Sequence, residues 1–321
     1  MNILGIETSC DETAASVVKN GKTVLSNTVA SSLSHHEKYG GVIPEIASRK
    51  QLESIHAVVD EAITSSGCPL KKIDAIAVTE GPGLLGSLLV GTSYAKAVSF
   101  ALKKPLMPVN HVKAHLYANF LTLPGNASRP APKLPAIGLI VSGGHSSIYF
   151  LEDYTHYELL GQTRDDAAGE AFDKVARILG LGYPGGPIID RLAKEGKNTR
   201  IKFSPSRLDS FDFSFSGTKT AVLYYHQQHR QDPDYQAAQV ACSFQQSVIS
   251  ILIEKSIQAC LAKSCKTLLA GGGVAANSAL RAGLLEASAR QGIKAYFPPL
   301  PFCMDNAAMV AGYAYHQMKE E

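Results

Sequence analysis

The strongest constraint on how this chain folds is a triplet of short strands joined by tight turns, found at the start and again near the middle of its 321 residues. Residues 2–8 form an apolar run, residues 14–19 a second, and residues 22–30 a third after Asn20-Gly21. That pair tolerates the positive φ of a two-residue hairpin. A helical pattern over 43–65, a strand at 75–79, the turn Gly81-Pro82-Gly83, a helix over 85–102, a strand at 106–109 and a helix carrying His111 and His115 complete the first unit. Strands at 137–141, 146–151 and 157–162 repeat the opening. A helix over 168–179, a polar insertion near 196–234, a helix over 235–262, a strand at 267–270, a helix over 278–291, a strand at 294–297 and a last helix from Asp305 follow. A meander followed by alternating helices and strands needs a mixed sheet with helices on its faces, so the double pattern predicts a two-lobed α/β protein. The expected lobes are 1–112 plus about 300–321, and about 113–299 with the insertion.

Composition narrows the class. Apolar residues are 45% and charged residues 18%, which excludes a disordered chain. Lys+Arg 31 against Asp+Glu 28 leaves +3, so the whole-molecule field does not by itself argue for nucleic acid and any RNA surface must be local. Within 197–207, Lys197, Arg200, Lys202 and Arg207 surround Phe203 without an acid; they are a candidate phosphate stripe whose plainer reading is a solvated loop. Six cysteines without a C-x-x-C pair, and no secretory leader pattern, are read as reduced thiols of a cytoplasmic protein. No apolar run approaches the roughly 18 to 20 residues of a membrane span, so no membrane association is expected.

Chemistry concentrates at the turns. The first, Glu7-Thr8-Ser9-Cys10-Asp11-Glu12-Thr13, offers hydroxyls and backbone to phosphate and carboxylates to a cation or proton. Its equivalent in the second triplet is Val141-Ser142-Gly143-Gly144-His145, where paired glycines let backbone N–H groups approach phosphate. His111 and His115, at i and i+4, share a helical face and can bind one metal, with bonds of about 2.0–2.1 Å for zinc. The metallopeptidase version needs Glu after the first His, where this chain has Val112. Asp305 is the candidate third ligand, and equally a helix N-cap. Gly271-Gly272-Gly273, ending in Asn277, and Tyr183-Pro184-Gly185-Gly186-Pro187 are turns that either approach a nucleotide or merely join elements.

Two such units, each with a turn after its first strand, resemble the duplicated actin-like ATPase (ribonuclease H-like) fold, two lobes around a central nucleotide and metal cleft. Read in order, Gly5 to Thr13, Gly40-Gly41-Val42-Ile43-Pro44-Glu45, Gly81-Pro82-Gly83, Asn110-His111 with His115, Val141 to His145, Gly169-Glu170-Ala171-Phe172-Asp173-Lys174, Tyr183 to Pro187, Phe213 to Gly217, Gly271 to Asn277 and Asp305-Asn306 resemble the TsaD family, formerly grouped as glycoproteases, across essentially the whole chain. The resemblance implies transfer of threonylcarbamoyl from threonylcarbamoyl-adenylate to N6 of an anticodon-loop adenosine, in tRNAs reading codons that begin with A, with release of AMP. It implies one divalent metal, Fe2+ or Zn2+, on His111, His115 and Asp305, and ATP, ADP or adenylate in the cleft. Contacts to that substrate are implied for Ile140, Val141, Ser142, Gly143, Gly144, Asp173, Gly186, Asp190 and Asn277. Ile140 stands where archaeal relatives carry a tyrosine ligand, and His145 resembles bacterial members. Implied partners are tRNA, a smaller inactive paralogue of the TsaB type, a P-loop ATPase of the TsaE type and a separate synthase that supplies the adenylate. Asp11 is the first choice of proton acceptor and Glu12 the second. The rivals are a sugar or metabolite kinase of the same fold, which would not need the two histidines, and an ATP-dependent binding or scaffold protein in which another subunit does the chemistry.

Overall fold

The computed structural model describes residues 1–123, 130–196 and 200–320. Its contacts divide the chain into one unit of Met1–Pro132 with Pro298–Glu321 and a second of Lys133–Phe297. Lys197 lies outside the described residues.

The first unit is built from β1 (Asn2–Glu7), β2 (Glu12–Lys19), β3 (Thr23–Ser31), α1 (Leu33–His36), α2 (Pro44–Ser66), β4 (Ala75–Gly81), α3 (Leu85–Leu102), β5 (Leu106–Asn110) and α4 (His111–Tyr117). Its sheet runs β3-β2-β1-β4-β5, antiparallel through the meander and parallel from β1 to β4 and β5. The hairpin forms as its sequence dictates, with Asn20 at φ 52° and Gly21 at φ 69°. α2 starts with Pro44 and stops at Gly67 in the left-handed region, the usual asymmetry of helix ends. One apolar core joins Leu4, Ile6 and Val17 of the strands to Ile55, Val58 and Val59 of α2.

In the second unit β6 (Ala136–Val141), β7 (Ser146–Leu151), β8 (Tyr157–Gln162), α5 (Ala168–Ile178), α6 (Gly185–Ala193), α7 (Ser216–His229), α8 (Ala237–Ala262), β9 (Thr267–Gly271), α9 (Ser278–Arg290) and β10 (Lys294–Tyr296) follow. The sheet order β10-β9-β6-β7-β8 repeats the first sheet element for element, with the same sense of pairing at each step. A single core gathers Phe172, Phe213, Phe215 and Phe244 beneath it. The chain then returns to the first unit as α10 (Ala307–Glu320), which packs on β1, β2 and α4. That packing of α4 carries the first unit past residue 112, to Pro132.

Three expectations are corrected. α6 stands where the glycine-proline run reads as a turn, because the Asp173 carboxylate accepts the Gly185 N–H at 2.7 Å and starts a helix there. α7 lies within the polar insertion; only Thr218 and Val222 of it are buried, so it carries no apolar period to read. And α3, at 18 residues, is long and apolar enough by length and composition to cross a membrane, its Gly, Ser and Lys residues diluting it too little. Only 17% of it is buried, and Leu85, Leu89 and Phe100 are exposed. Phe203, among the basic residues of 197–207 in sequence, is buried and meets the Tyr225 ring edge-on at 5.8 Å.

α10 lies so close on β1 that a Cβ at Gly5 would fall 2.4 Å from the Ala307 carbonyl oxygen. Gly5→Ala must therefore push α10 off the sheet; we expect a loss of about 1–3 kcal/mol in urea unfolding monitored by circular dichroism.

Candidate functional site

The site begins with two helix caps. Asn110, the last residue of β5, accepts the Lys113 N–H at 3.1 Å and so fixes α4 to start at His111. His111 and His115 then face the same way, their rings edge-to-face with centroids 4.6 Å apart. At the other end of the chain Asn306, wholly buried, accepts the Met309 N–H at 3.0 Å and donates to the carbonyls of Phe302 and Met304. Asn306 does the capping there, which leaves the Asp305 carboxylate to turn toward the histidines: 3.0 Å to His115 Nε2 and 3.6 Å to His111 Nε2. One donor atom from each of the three residues lies within 4.8 Å of the others. Bonds of about 2.1 Å in a tetrahedral shell put ligand atoms about 3.4 Å apart, so the set is compatible with one divalent metal.

Behind His111 sits Glu7, with no exposed surface. One of its oxygens accepts the Ser9 N–H at 2.5 Å; the other accepts the Thr79 hydroxyl at 2.5 Å and faces His111 Nδ1 at 3.2 Å. The Ser9 hydroxyl also lies 3.2 Å from Nδ1. A carboxylate on Nδ1 fixes the tautomer whose Nε2 lone pair points at the ligand position, the usual support behind a metal-binding histidine. Burial pulls the His111 pKa down, but the charges of Asp305 and Glu7 outweigh it and lift it to about 9. Without metal, therefore, a His111 imidazolium bridges two carboxylates at neutral pH, and a cation must displace its proton.

The first turn brings more acid to the same place. Asp11 is almost buried, and Glu12 hydrogen-bonds to it. Burial, then the charges of Asp305 and Asp11, push the Glu12 carboxyl well above the usual carboxylate range. Burial and the same two aspartates hold the Cys10 thiol protonated, so it is no nucleophile.

In the second unit the turn after β6 closes on itself: Ser142 N–H donates to the His145 carbonyl at 2.8 Å and His145 N–H to the Ser142 hydroxyl at 3.1 Å. A Cβ at Gly143, Gly144 or Gly186 would meet nothing within 4 Å, and none of the three has the positive φ that requires glycine. Neither packing nor a positive φ asks for glycine at these three positions. Ile140 and Val141 are buried in β6, Ile140 opposite Gly271 of β9. Asp173 holds the start of α6 beside Gly186, and burial raises its pKa despite those backbone bonds. Asp190 accepts from Ser278 at 2.9 Å; its neighbour Asn277 caps α9 and donates to Gln245 at 2.8 Å. Of the basic stripe, Arg200 and Lys202 are exposed and Arg207 pairs with Glu254 at 3.0 Å.

Sequence reasoning named Glu7 and Ser9 in the first turn and Asn110 beside His111 without giving any of them a role in supporting His111, and it passed over Thr79. The readable signal was Glu7 itself, an acid closing an otherwise apolar strand that is covered on both faces.

The family model described as tRNA N6-adenosine threonylcarbamoyltransferase matches residues 23–312. The tRNA N6-adenosine threonylcarbamoyltransferase of Clostridium botulinum (strain 657 / Type Ba4) is 51% identical over 320 residues, covering 99% of this chain and 92% of that relative. The one from Caldicellulosiruptor saccharolyticus is 49% identical over 319 residues, covering 99% and 93%. Among solved structures, HypF of T. kodakarensis superposes with a TM-score of 0.67 at 15% identity, over 98% of this chain and 48% of that one, a likeness of fold.

If the cation displaces a proton held by two carboxylates, its affinity depends on pH. A raised histidine pKa stabilises the metal-free protein at low pH, and that contribution fades as pH rises through about 9. We expect Zn2+ affinity, measured by competition with a chromophoric chelator, to climb about tenfold per unit from pH 7 to pH 9 and then flatten. Glu7→Gln should weaken it about 10- to 100-fold at pH 8.

Proposed function

This chain belongs to the tRNA N6-adenosine threonylcarbamoyltransferase family and is a transferase of tRNA modification; from that premise we propose how its own residues serve the reaction. The donor is threonylcarbamoyl-adenylate and the acceptor N6 of an anticodon-loop adenosine, splayed out of its loop to be reached. The N6 lone pair attacks the carbamoyl carbonyl carbon, the new C–N bond forms, the bond from that carbon to the phosphate oxygen breaks, and AMP leaves with the electron pair. The observation that carries this reading is the convergence of His111, His115 and Asp305 on one point with Glu7 behind.

His111, His115 and Asp305 would hold one divalent cation, Fe2+ or Zn2+, which when bound supplies Lewis-acid polarisation of the acyl group. Asp11 takes the proton that N6 loses. Glu12, kept protonated beside it, donates a hydrogen bond that steadies the Asp11 carboxylate, so the pair receives one proton without placing two bare charges together. The backbone of Ser142, Gly143 and Gly144 would cradle the adenylate phosphate, with Asp173, Gly186, Asp190 and Asn277 shaping the nucleotide subsite. ATP or ADP would occupy the same subsite when the adenylate is absent. The work takes place in the cytoplasm, with the adenylate supplied by a separate synthase and a P-loop ATPase acting on the assembled enzyme.

The smaller paralogue docks on the α2–α3 face. There an apolar groove of about 310 Å³, lined by Leu52, Ile55, Leu89, Val90 and Tyr94, continues into the exposed stripe of α3. An apolar helix pair left bare in a protein of this composition is covered in the assembly.

Two outcomes test this. Incubated with its partners, unmodified tRNA, threonine, bicarbonate and ATP, the protein should yield threonylcarbamoyladenosine in the digested tRNA by mass spectrometry. His111→Ala should reduce the yield by at least about a hundredfold, about 2.7 kcal/mol or more of transition-state stabilisation; unreduced yield, or only phosphorylated small molecules, would refute the reading. Leu89→Asp should abolish co-elution with the paralogue in gel filtration while leaving Zn2+ affinity unchanged.

A further inference from the structure

The β2–β3 ladder starts at Glu12, so the carbonyls of Ser9 and Cys10 ahead of it have no strand partner to orient them. All four from Ser9 to Glu12 are nevertheless bonded. Leu84 N–H takes Ser9 at 2.8 Å, and the backbone and hydroxyl of Ser32 take Asp11 at 3.1 and 2.8 Å. The carbonyls on either side of Asp11, those of Cys10 and Glu12, are both taken by one side chain: Gln51 Nε2, at 3.0 and 2.9 Å. Ser87 adds a second donor to Cys10 at 3.1 Å. Gln51 has no exposed surface, and its Oε1 is buried without a partner among the described residues.

A carboxamide carries two N–H protons, one for each of two acceptors. The Cys10 carbonyl lies in the peptide plane before Asp11 and the Asp11 carbonyl, held by Ser32, in the plane after it; with Gln51 on the carbonyls of Cys10 and Glu12, the turn is anchored on both sides of Asp11, which sets the direction of its Cα–Cβ bond and so where its carboxylate sits. A buried glutamine that leaves its own oxygen unsatisfied has been kept for its donors, since packing alone would favour an apolar side chain there. The surroundings leave the turn little other room. A Cβ at Gly91 would lie 2.2 Å from the Thr8 hydroxyl, and one at Gly83 2.5 Å from the Ser9 carbonyl oxygen.

We propose that Gln51 is a positioning residue of the transfer reaction, acting through Asp11: its carboxamide aims the acid-bearing turn by binding the carbonyls of Cys10 and Glu12. This rests on the reading that Asp11 takes the N6 proton. A misplacement of about 1 Å in a group that touches the reacting atoms costs on the order of a hundredfold in rate. Ser32 holds the Asp11 carbonyl, Leu84 that of Ser9, and Ser87 shares that of Cys10, so Gln51 is the side chain that binds the turn on both sides of Asp11.

The test compares Gln51→Met, which keeps the length and removes both donors, in the native protein and in an Asp11→Asn background, with the partner proteins present. The proposal expects kcat to fall about 10- to 100-fold with the KM for tRNA changed less than about threefold, Zn2+ binding unaltered, and no further loss once Asp11 is already Asn. Amide hydrogen exchange should quicken at Cys10 to Glu12 and not in α10. An equal loss in both backgrounds would make Gln51 a structural residue and end the proposal; so would an unchanged kcat, or unchanged exchange in the turn. Should Asp11→Asn transfer at the native rate, the assignment of Asp11 fails first and the positioning role falls with it, an outcome read from that single variant. If Gln51→Met does not fold, Ser87→Ala, which removes the other donor to Cys10, carries the same comparison, with a smaller loss of kcat that likewise vanishes in the Asn background.

Discussion

A carboxylate with no access to water has to be surrounded by donors, and Glu7 is that carboxylate here. Its three partners come from three places: the turn after β1, the middle of β4, and the first residue of α4. Satisfying one buried charge thus fixes the turn, the strand and the helix relative to one another. Everything chemical in the first unit is arranged about this point, with Asp305 on the far side of the imidazole that Glu7 holds.

The rest of the first unit serves that arrangement from two sides of one sheet. α10 is drawn onto β1 by the missing side chain at Gly5, and Asp305 rides immediately ahead of α10, so a backbone contact in the core delivers a carboxylate to the site. On the other face, α2 and α3 turn Gln51 and Ser87 inward to the same loop and Leu52, Leu89 and Phe100 outward. The capping division between Asn306 and Asp305 shows the economy of the C-terminal segment: one residue ends the loop, and its neighbour is left for chemistry.

The strand triplets and the long helices were legible because alternation and helical period are local properties of the chain. β1, β2, β3 and α2 lie within a residue or two of where apolar spacing puts them. The i, i+4 histidines were legible for the same reason. What escaped depends on tertiary context. α7 buries only two side chains and shows no period; α6 opens on residues that punctuate turns, and only the distant Asp173 makes them a helix start. Phe203 sits among basic residues in sequence and in the core in space. Gln51 reads as an ordinary helix polar residue, since nothing local reveals that it has been withdrawn from water.

The first unit is made of residues that lie on both sides of the second unit in the chain, so an entire second sheet separates the two histidines from Asp305 in the sequence. A polypeptide interrupted between the two sheets would carry both imidazoles and leave β1 without the cover of α10 on one face and the imidazoles without Asp305.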